Sequence, residues 1–370
     1  MKIGFLTDLH LGYSHGTKTT SDGVNVREQD VINAAHAAVG SILRAGVDVI
    51  VDCGDLAHVP TPKKRAVSEI FRLIDSVKPL QFISVNGNHT MARSSSDIHL
   101  YQMISEQRPN FVGVIEPTYL ESIGGYLIPY GTAEEIKSAL DKTPTDAKFI
   151  AGHWACDDVP FLGDHVQVAD LPDIPVFLGH YHTRKINMTA TKDVQREYLD
   201  MRDMTGFMPN KPWNVHYDGP AYIGATERFA WGEHNNPNGV AIWDSELRTL
   251  EFIDIKTRPW VDIAVESEQL PDLGNVPDGA ITRLSITAPY SEYNRLDFMA
   301  IKKKLSNALE IQIRRRPTDS ELVQYEYEPS KFTSVLDSWR EHVTKASIPR
   351  GVSKRDVERT GSEAIRNAQG

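Results

Sequence analysis

The chain has 370 residues, of which 40% are apolar and 24% charged, with a formal net charge of −10. That is an ordinary globular composition, enough for about two domains and a small tail element, and no apolar run approaches the ~18 residues of a membrane span. The acidic balance is not the usual footprint of a nucleic-acid binder, but it is uneven, since residues 301–370 carry 14 Lys and Arg against 10 Asp and Glu.

"KIGFLT" reads as a first strand, followed by a polar loop and the amphipathic helix "REQDVINAAHAAVGSILRAG", closed by Gly46. "VDVIVDCG" is a buried strand ending in Cys53, read as a small buried hydrophobe. "PKKRAVSEIFRLIDSV" reads as a helix beginning after Pro62. "PLQFISVNG" is a third strand and "SSSDIHLYQMISEQ" a third helix with a Ser N-cap. Strands alternating with helices predict parallel pairing with helices on the faces, and ligands at the carboxyl ends of the strands.

From Phe111 the elements become short strands: "FVGVIE", "TYLES", "GYLIPY", "AKFIAGH", "IPVFLGH" and, after a polar stretch, "PAYIGATERF", "NGVAIWD" and "TLEFIDI". The expected class is α/β, two β-sheets flanked by helices. A boundary near "KTRPW" ends a first domain at residues 1–257. Beyond it "VDIAVES", "ITRLSIT", a helix over "RLDFMAIKKKLSNAL", "EIQIRRR" and "ELVQYEY" predict a small α+β domain over 258–329. Two helices, near 330–345 and 350–367, close the chain in a segment 330–370. The first carries Phe332, Val335, Leu336, Trp339 and Val343 as one apolar stripe. Cys53 and Cys156 are too few for a disulfide framework. With no secretory signal pattern, a cytoplasmic compartment is expected.

The chemistry sits where the strands stop. "FLT" runs into Asp8 and His10, "VIVDCG" into Asp55 and His58, "FISVNG" into Asn88 and His89, "FIAG" into His153, and "VFLG" into His180 and His182. Asp, Asn and His delivered together to one sheet edge are the donors of a hard-to-borderline metal site. Two divalent ions ~3.5–4 Å apart can activate water and clamp a phosphoryl displacement. Asp55 is the natural bridging anion. Asp8 and His10, alternating on one face of an extended segment, hold one ion, and His180 and His182 repeat that geometry. Asn88 and His153 complete the other ion. In "NGNH", Gly87 reads as a tight turn. Asn88 is a neutral oxygen ligand that keeps its ion a strong Lewis acid. His89, free of metal, faces the phosphate as transition-state stabiliser or acid.

In order, "DLHLG", "GDLAH", "GNH", "GH" and "GHYH" resemble the five blocks of the calcineurin-like metallophosphoesterases, over roughly residues 1–255. The resemblance implies a four-layer sandwich and a two-metal phosphoesterase using Mn²⁺. "YIGATERFAWGE" after the last block, a following α+β domain and two terminal helices look like the SbcD or meiotic-recombination-eleven family, nuclease subunits of double-strand-break repair complexes. That implies a DNA exonuclease or endonuclease with a DNA-contacting cap domain, and His58 helping to orient DNA. It also implies C-terminal helices docking on an SbcC-like coiled-coil ATPase, and a homodimer. The chain departs from the family in the connection over residues 183–217, which is long for that position. Two other readings stand beside this one: a small-substrate phosphodiesterase or phosphatase, and a DNA-tethering scaffold with a vestigial site.

Overall fold

The computed structural model describes residues 1–91, 99–159, 164–188, 213–214, 217–272, 274, 276–318, 339, 343–344 and 353–369. Numbering strands in chain order, β1 (Lys2–Leu6), β2 (Val49–Asp52), β3 (Phe82–Val85) and β4 (Phe111–Val114) pair in parallel. β12 (Gly239–Asp244), β13 (Thr249–Asp254) and β10 (Trp213–Asn214) extend that sheet from β1 by antiparallel pairing, in the order β10-β13-β12-β1-β2-β3-β4. A second sheet runs β5 (Thr118–Leu120), β6 (Gly125–Ile128), β7 (Phe149–Gly152), β8 (Val176–Leu178), β11 (Tyr217–Tyr222) and β9 (Lys185–Met188).

Three apolar layers hold these sheets. Helices α1 (Val26–Arg44), α2 (Lys64–Ser76) and α3 (Leu100–Gln107) bury Val31, Ile42, Ile70, Leu73 and Ile104 against Leu6, Ile50 and Phe82 of the first sheet. Alternate residues of the same strands, among them Phe5, Val51 and Ile83, face the second sheet, where Phe5 stacks on Phe177 with centroids 4.2 Å apart. On the far side, Ile150, Leu178 and Tyr222 pack with Ile136 and Leu140 of α4 (Ala133–Leu140). The expected α/β sandwich of two sheets and flanking helices is therefore present. Cys53 and Cys156 are free and buried.

Residues 1–261, 277–281 and 307–310 form one compact unit, and residues 262–276, 282–306 and 311–370 a second. A three-stranded sheet, β14 (Trp260–Glu266), β15 (Ile281–Thr287) and β16 (Glu310–Arg316), has most of its residues in the second unit. Leu284, Ile286, Ile301 and Leu305 are buried there. Among the described residues no helix is long and apolar enough to cross a membrane.

Several local expectations change. The third helix begins at Leu100, with the His99 ring accepting the Tyr101 N–H at 3.1 Å, while the expected Ser cap falls outside the described residues. Helix α4 was not anticipated. It follows from a capping box in which Thr132 and Glu135 satisfy one another's backbone N–H groups. "PAYIGATERF" leaves the sheet after Tyr222 and turns at Gly224. The helix expected over 295–309 is shortened to Phe298–Lys304, because the Asp297 carboxylate caps the N–H groups of Met299 and Ala300 at 3.0 Å. "ELVQYEY" lies outside the described residues, as do Phe332, Val335 and Leu336 of the apolar stripe. Trp339 of that stripe is engaged within the chain. Its indole N–H donates to the Glu358 carbonyl of the terminal helix Lys354–Gln369 at 3.2 Å, and its ring covers Gly361.

Candidate metal centre

The five strand ends do meet, but not on one sheet. β1, β2 and β3 of the seven-stranded sheet supply Asp8, His10, Asp55 and Asn88, and β7 and β8 of the six-stranded sheet supply His153 and His180. The site thus lies across the carboxyl edges of two sheets that face one another over a shared core. Strand alternation does not aim the ligands either. Asp8, His10, Asp55 and His180 all sit beyond their strands in the left-handed region, with φ of 51°, 44°, 56° and 71°. Backbone bonds tie these loops together: Asp8 N–H donates to Gly54 O and His10 N–H to Asp55 O, each at 2.9 Å.

Asn88 Oδ1 lies 3.1 Å from both His153 Nε2 and His180 Nδ1. Asp55 Oδ2 is 3.2 Å from His153 Nε2 and 3.9 Å from His10 Nε2, so this carboxylate stands between the two groups of side chains. On the other side His10 Nε2 and His182 Nε2 face each other at 3.2 Å, and Asp8 Oδ1 is 3.4 Å from His182 Nε2. Asp8 Oδ1 is buried and accepts no hydrogen bond among the described residues. Three clusters result among the described residues, Asp8–His10–His182, Asp8–Asp55–His153 and, beside them, His10–His58–His89. An orphaned buried carboxylate oxygen and imidazole nitrogens aimed at one point are unfavourable without a cation between them. The oxygen and nitrogen donor set suits borderline divalent ions, so the residues present fit a metal centre.

His89 stands beside this centre. Its backbone N–H donates to Asp55 Oδ1 at 2.9 Å, and its Nδ1 lies 3.0 Å from the His58 carbonyl. The His58 and His89 rings stack with centroids 5.0 Å apart, and His58 Nδ1 is 3.4 Å from His10 Nδ1. His15, in the loop after β1, is exposed. Gly87 opens a turn, its carbonyl accepting the Thr90 N–H at 3.3 Å, and also allows close approach, because an added Cβ would lie on the Asp55 side chain and 2.6 Å from its backbone nitrogen.

The side chains alone set the protonation of the centre. Burial pushes His153 and His182 toward the neutral form. Asp55 beside His153 nonetheless raises it to about 9, and Asp8 with Glu233 beside His182 raise it to about 10. Burial likewise opposes ionisation of Asp8, yet His182 and His153 hold it down at about 2. Burial and the neighbouring His153 lower His180 to about 4. The unfolded reference for His is ~6.5. Raised histidines stabilise the metal-stripped fold fully below that value and lose the contribution as pH rises through about 9 to 10. Bound metal requires both rings deprotonated. Loading at pH 7 is therefore expected to release about two protons, read by calorimetry in buffers of different ionisation enthalpy. Loading without proton release would refute this protonation pattern.

Residues not singled out from the sequence complete the wall. Glu233 Oε1 lies 2.9 Å from His182 Nδ1. The Phe229 ring meets His10 and His182 edge-on, at 4.7 and 5.3 Å between centroids. Tyr13 donates its hydroxyl to the Phe229 carbonyl at 3.3 Å. The signal was "ERFAWGE", whose glutamates read as part of a block without a role for either.

Residues 1–184 match the family described as calcineurin-like phosphoesterase. The chain is 25% identical to the "DNA double-strand break repair protein Mre11" of Sulfurisphaera tokodaii, over 50% of this chain and 50% of that protein, so it spans about half the length of that relative. It is 20% identical to the protein of the same name from Archaeoglobus fulgidus, over 92% of this chain and 76% of that protein. Among solved structures, a metallophosphoesterase from Sphaerobacter thermophilus is 16% identical, covering 70% of this chain and 89% of that one, with a TM-score of 0.36.

Proposed function

The chain carries a calcineurin-like metallophosphoesterase domain, and from that premise we propose that it is a Mn²⁺-dependent DNA nuclease of the SbcD type. The observation that carries the reading is the convergence of Asp8, His10, Asp55, Asn88, His153, His180 and His182 around an orphaned Asp8 oxygen, with His89 beside them. The names of the two relatives support DNA as the substrate.

Asp8, His10 and His182 would hold one ion and Asn88, His153 and His180 the other, with Asp55 shared. Bound there, a pair of divalent ions supplies Lewis-acid polarisation of a phosphate oxygen and activation of water. The remaining work falls to His89. A carbonyl only accepts, so His89 Nδ1 carries a proton toward His58 O at 3.0 Å and Nε2 is left to serve the substrate. As imidazolium it donates to the phosphate oxygen that gains charge, or gives its proton to the leaving sugar oxygen as water displaces it. Burial, then the neighbouring His89, lowers His58, which favours its neutral form.

Beyond the centre, we assign residues 258–329 to DNA contact, with the exposed Lys302–Lys304 facing phosphates. Residues 330–370 would bind an SbcC-like coiled-coil ATPase, and two copies would pair in the cytoplasm. The test uses metal-stripped chain, linear double-stranded DNA and bis-p-nitrophenyl phosphate. Mn²⁺-dependent DNA degradation that stops on chelation is the expected result. DNA left intact with and without the ATPase, while the small diester is hydrolysed, would make the chain a small-substrate phosphodiesterase. DNA bound with neither substrate cleaved would make it a tethering scaffold.

A further inference from the structure

The two halves of the centre are buttressed differently. His153 presents its Nδ1 to a backbone acceptor, the Cys53 carbonyl at 2.8 Å. His182 instead presents its Nδ1 to a carboxylate, Glu233 Oε1 at 2.9 Å. Glu233 is itself held, because its second oxygen accepts the Phe229 N–H at 2.7 Å and the Ala230 N–H at 3.4 Å. The side chain is 16% exposed and forms part of a short turn over Trp231–Glu233. The Phe229 ring, on the same turn, closes over His10 and His182.

We propose that Glu233 is a positioning residue that sets the affinity of one ion position, that of Asp8, His10 and His182, and leaves the Asn88–His153–His180 position unchanged. The inference rests on the metal-centre reading above. A carboxylate accepting from Nδ1–H fixes the tautomer, so the Nε2 lone pair faces Asp8 and His10. It also makes that nitrogen a stronger donor than a neutral carbonyl partner would. Because the same carboxylate caps the turn that carries Phe229, ring orientation and closure of the wall depend on one group. Among the described residues no carboxylate meets the outer nitrogen of His153 at the other position, which leans on the main chain.

The experiment is calorimetric titration of Mn²⁺ into the metal-stripped full chain, comparing wild type with Glu233→Gln, His182→Ala, Asn88→Ala and the double variant His182→Ala/Glu233→Gln. Wild type should show two uptake events. Glu233→Gln, whose amide oxygen can still accept from Nδ1–H, should weaken one event by about 10–100-fold and leave the other in place. The weakened event should be the one lost in His182→Ala and kept in Asn88→Ala. Adding Glu233→Gln to His182→Ala should change nothing further, since residues acting through one another are not additive. Thermal melting of each stripped variant separates a metal effect from loss of fold. Wild-type uptake in Glu233→Gln overturns the proposal and leaves the nuclease reading standing. Equal weakening of both events also overturns it, by reducing Glu233 to a general structural role. A wild-type chain that takes up no Mn²⁺ overturns it together with the metal reading of the centre.

Discussion

Replacement of His89 by alanine is expected to lower Mn²⁺-dependent phosphodiester cleavage by about 10²–10⁴-fold while leaving Mn²⁺ uptake unchanged. The two halves of that expectation come from different atoms of one residue. The contact His89 makes with the bridging candidate is a backbone one, N–H to Asp55 Oδ1 at 2.9 Å, and it survives the substitution. The ring, whose centroid is 4.7 Å from that of His10 and 5.0 Å from that of His58, is what alanine removes. A ring held by stacking and by the His58 carbonyl is preorganised to donate, which is the condition for a large transition-state effect. Single-turnover cleavage beside a Mn²⁺ titration checks both halves. Uptake lost with the rate would make His89 a ligand, and an unchanged rate would remove it from the chemistry.

The largest expected loss of stability follows Gly54→Ala. Gly54 has φ +114° and sits between β2 and Asp55, and a Cβ built there lies on the His153 ring nitrogen and 2.7 Å from the His153 Cβ. His153 cannot step aside. It is fully buried, with Nδ1 on the Cys53 carbonyl and Nε2 against Asp55. Backbone strain of ~1–3 kcal/mol and overpacking of ~1–3 kcal/mol act together, for about 2–6 kcal/mol out of a typical ~5–15 kcal/mol. Urea unfolding measures it, with Gly274→Ala as the control because no atom lies within 4 Å of a Cβ at Gly274. A midpoint shift no larger than the control would refute the close-packed account of this loop.

The clustering of the candidate ligands was legible in the sequence because each follows an apolar run, and an apolar run bounded by Gly reads as a strand end. Which sheet each strand joins was not legible. β7 and β8 are runs of Phe, Ile, Val, Leu, Ala and Gly much like β2 and β3, and buried parallel strands carry no local mark of their neighbours. Glu233 was missed for a related reason. It meets His182 across 51 positions of chain, and nothing at either end of that interval announces the contact. Helix α4 is the opposite case, since Thr132 and Glu135 spell out its start, and eight residues between short strands drew no periodic reading. Gly87 was legible as a turn, but the room it leaves beside Asp55 was not.

The left-handed backbone at Asp8, His10, Asp55 and His180 constrains any attempt to redesign the ion preference of this chain. Asn, Asp and His are the non-glycine residues that enter this region most readily, whereas β-branched residues there are outliers. They are also the oxygen and nitrogen donors that a borderline ion accepts. Side-chain chemistry and main-chain conformation therefore select the same short list of residues at four positions. Exchanges within that list, such as Asp8→Asn or His180→Asn, alter charge and donor atom while keeping the loop. A thiolate- or glutamate-rich centre would have to reshape the backbone first, so a change of ion is most accessible at Asn88, His153 and His182, which carry no such strain.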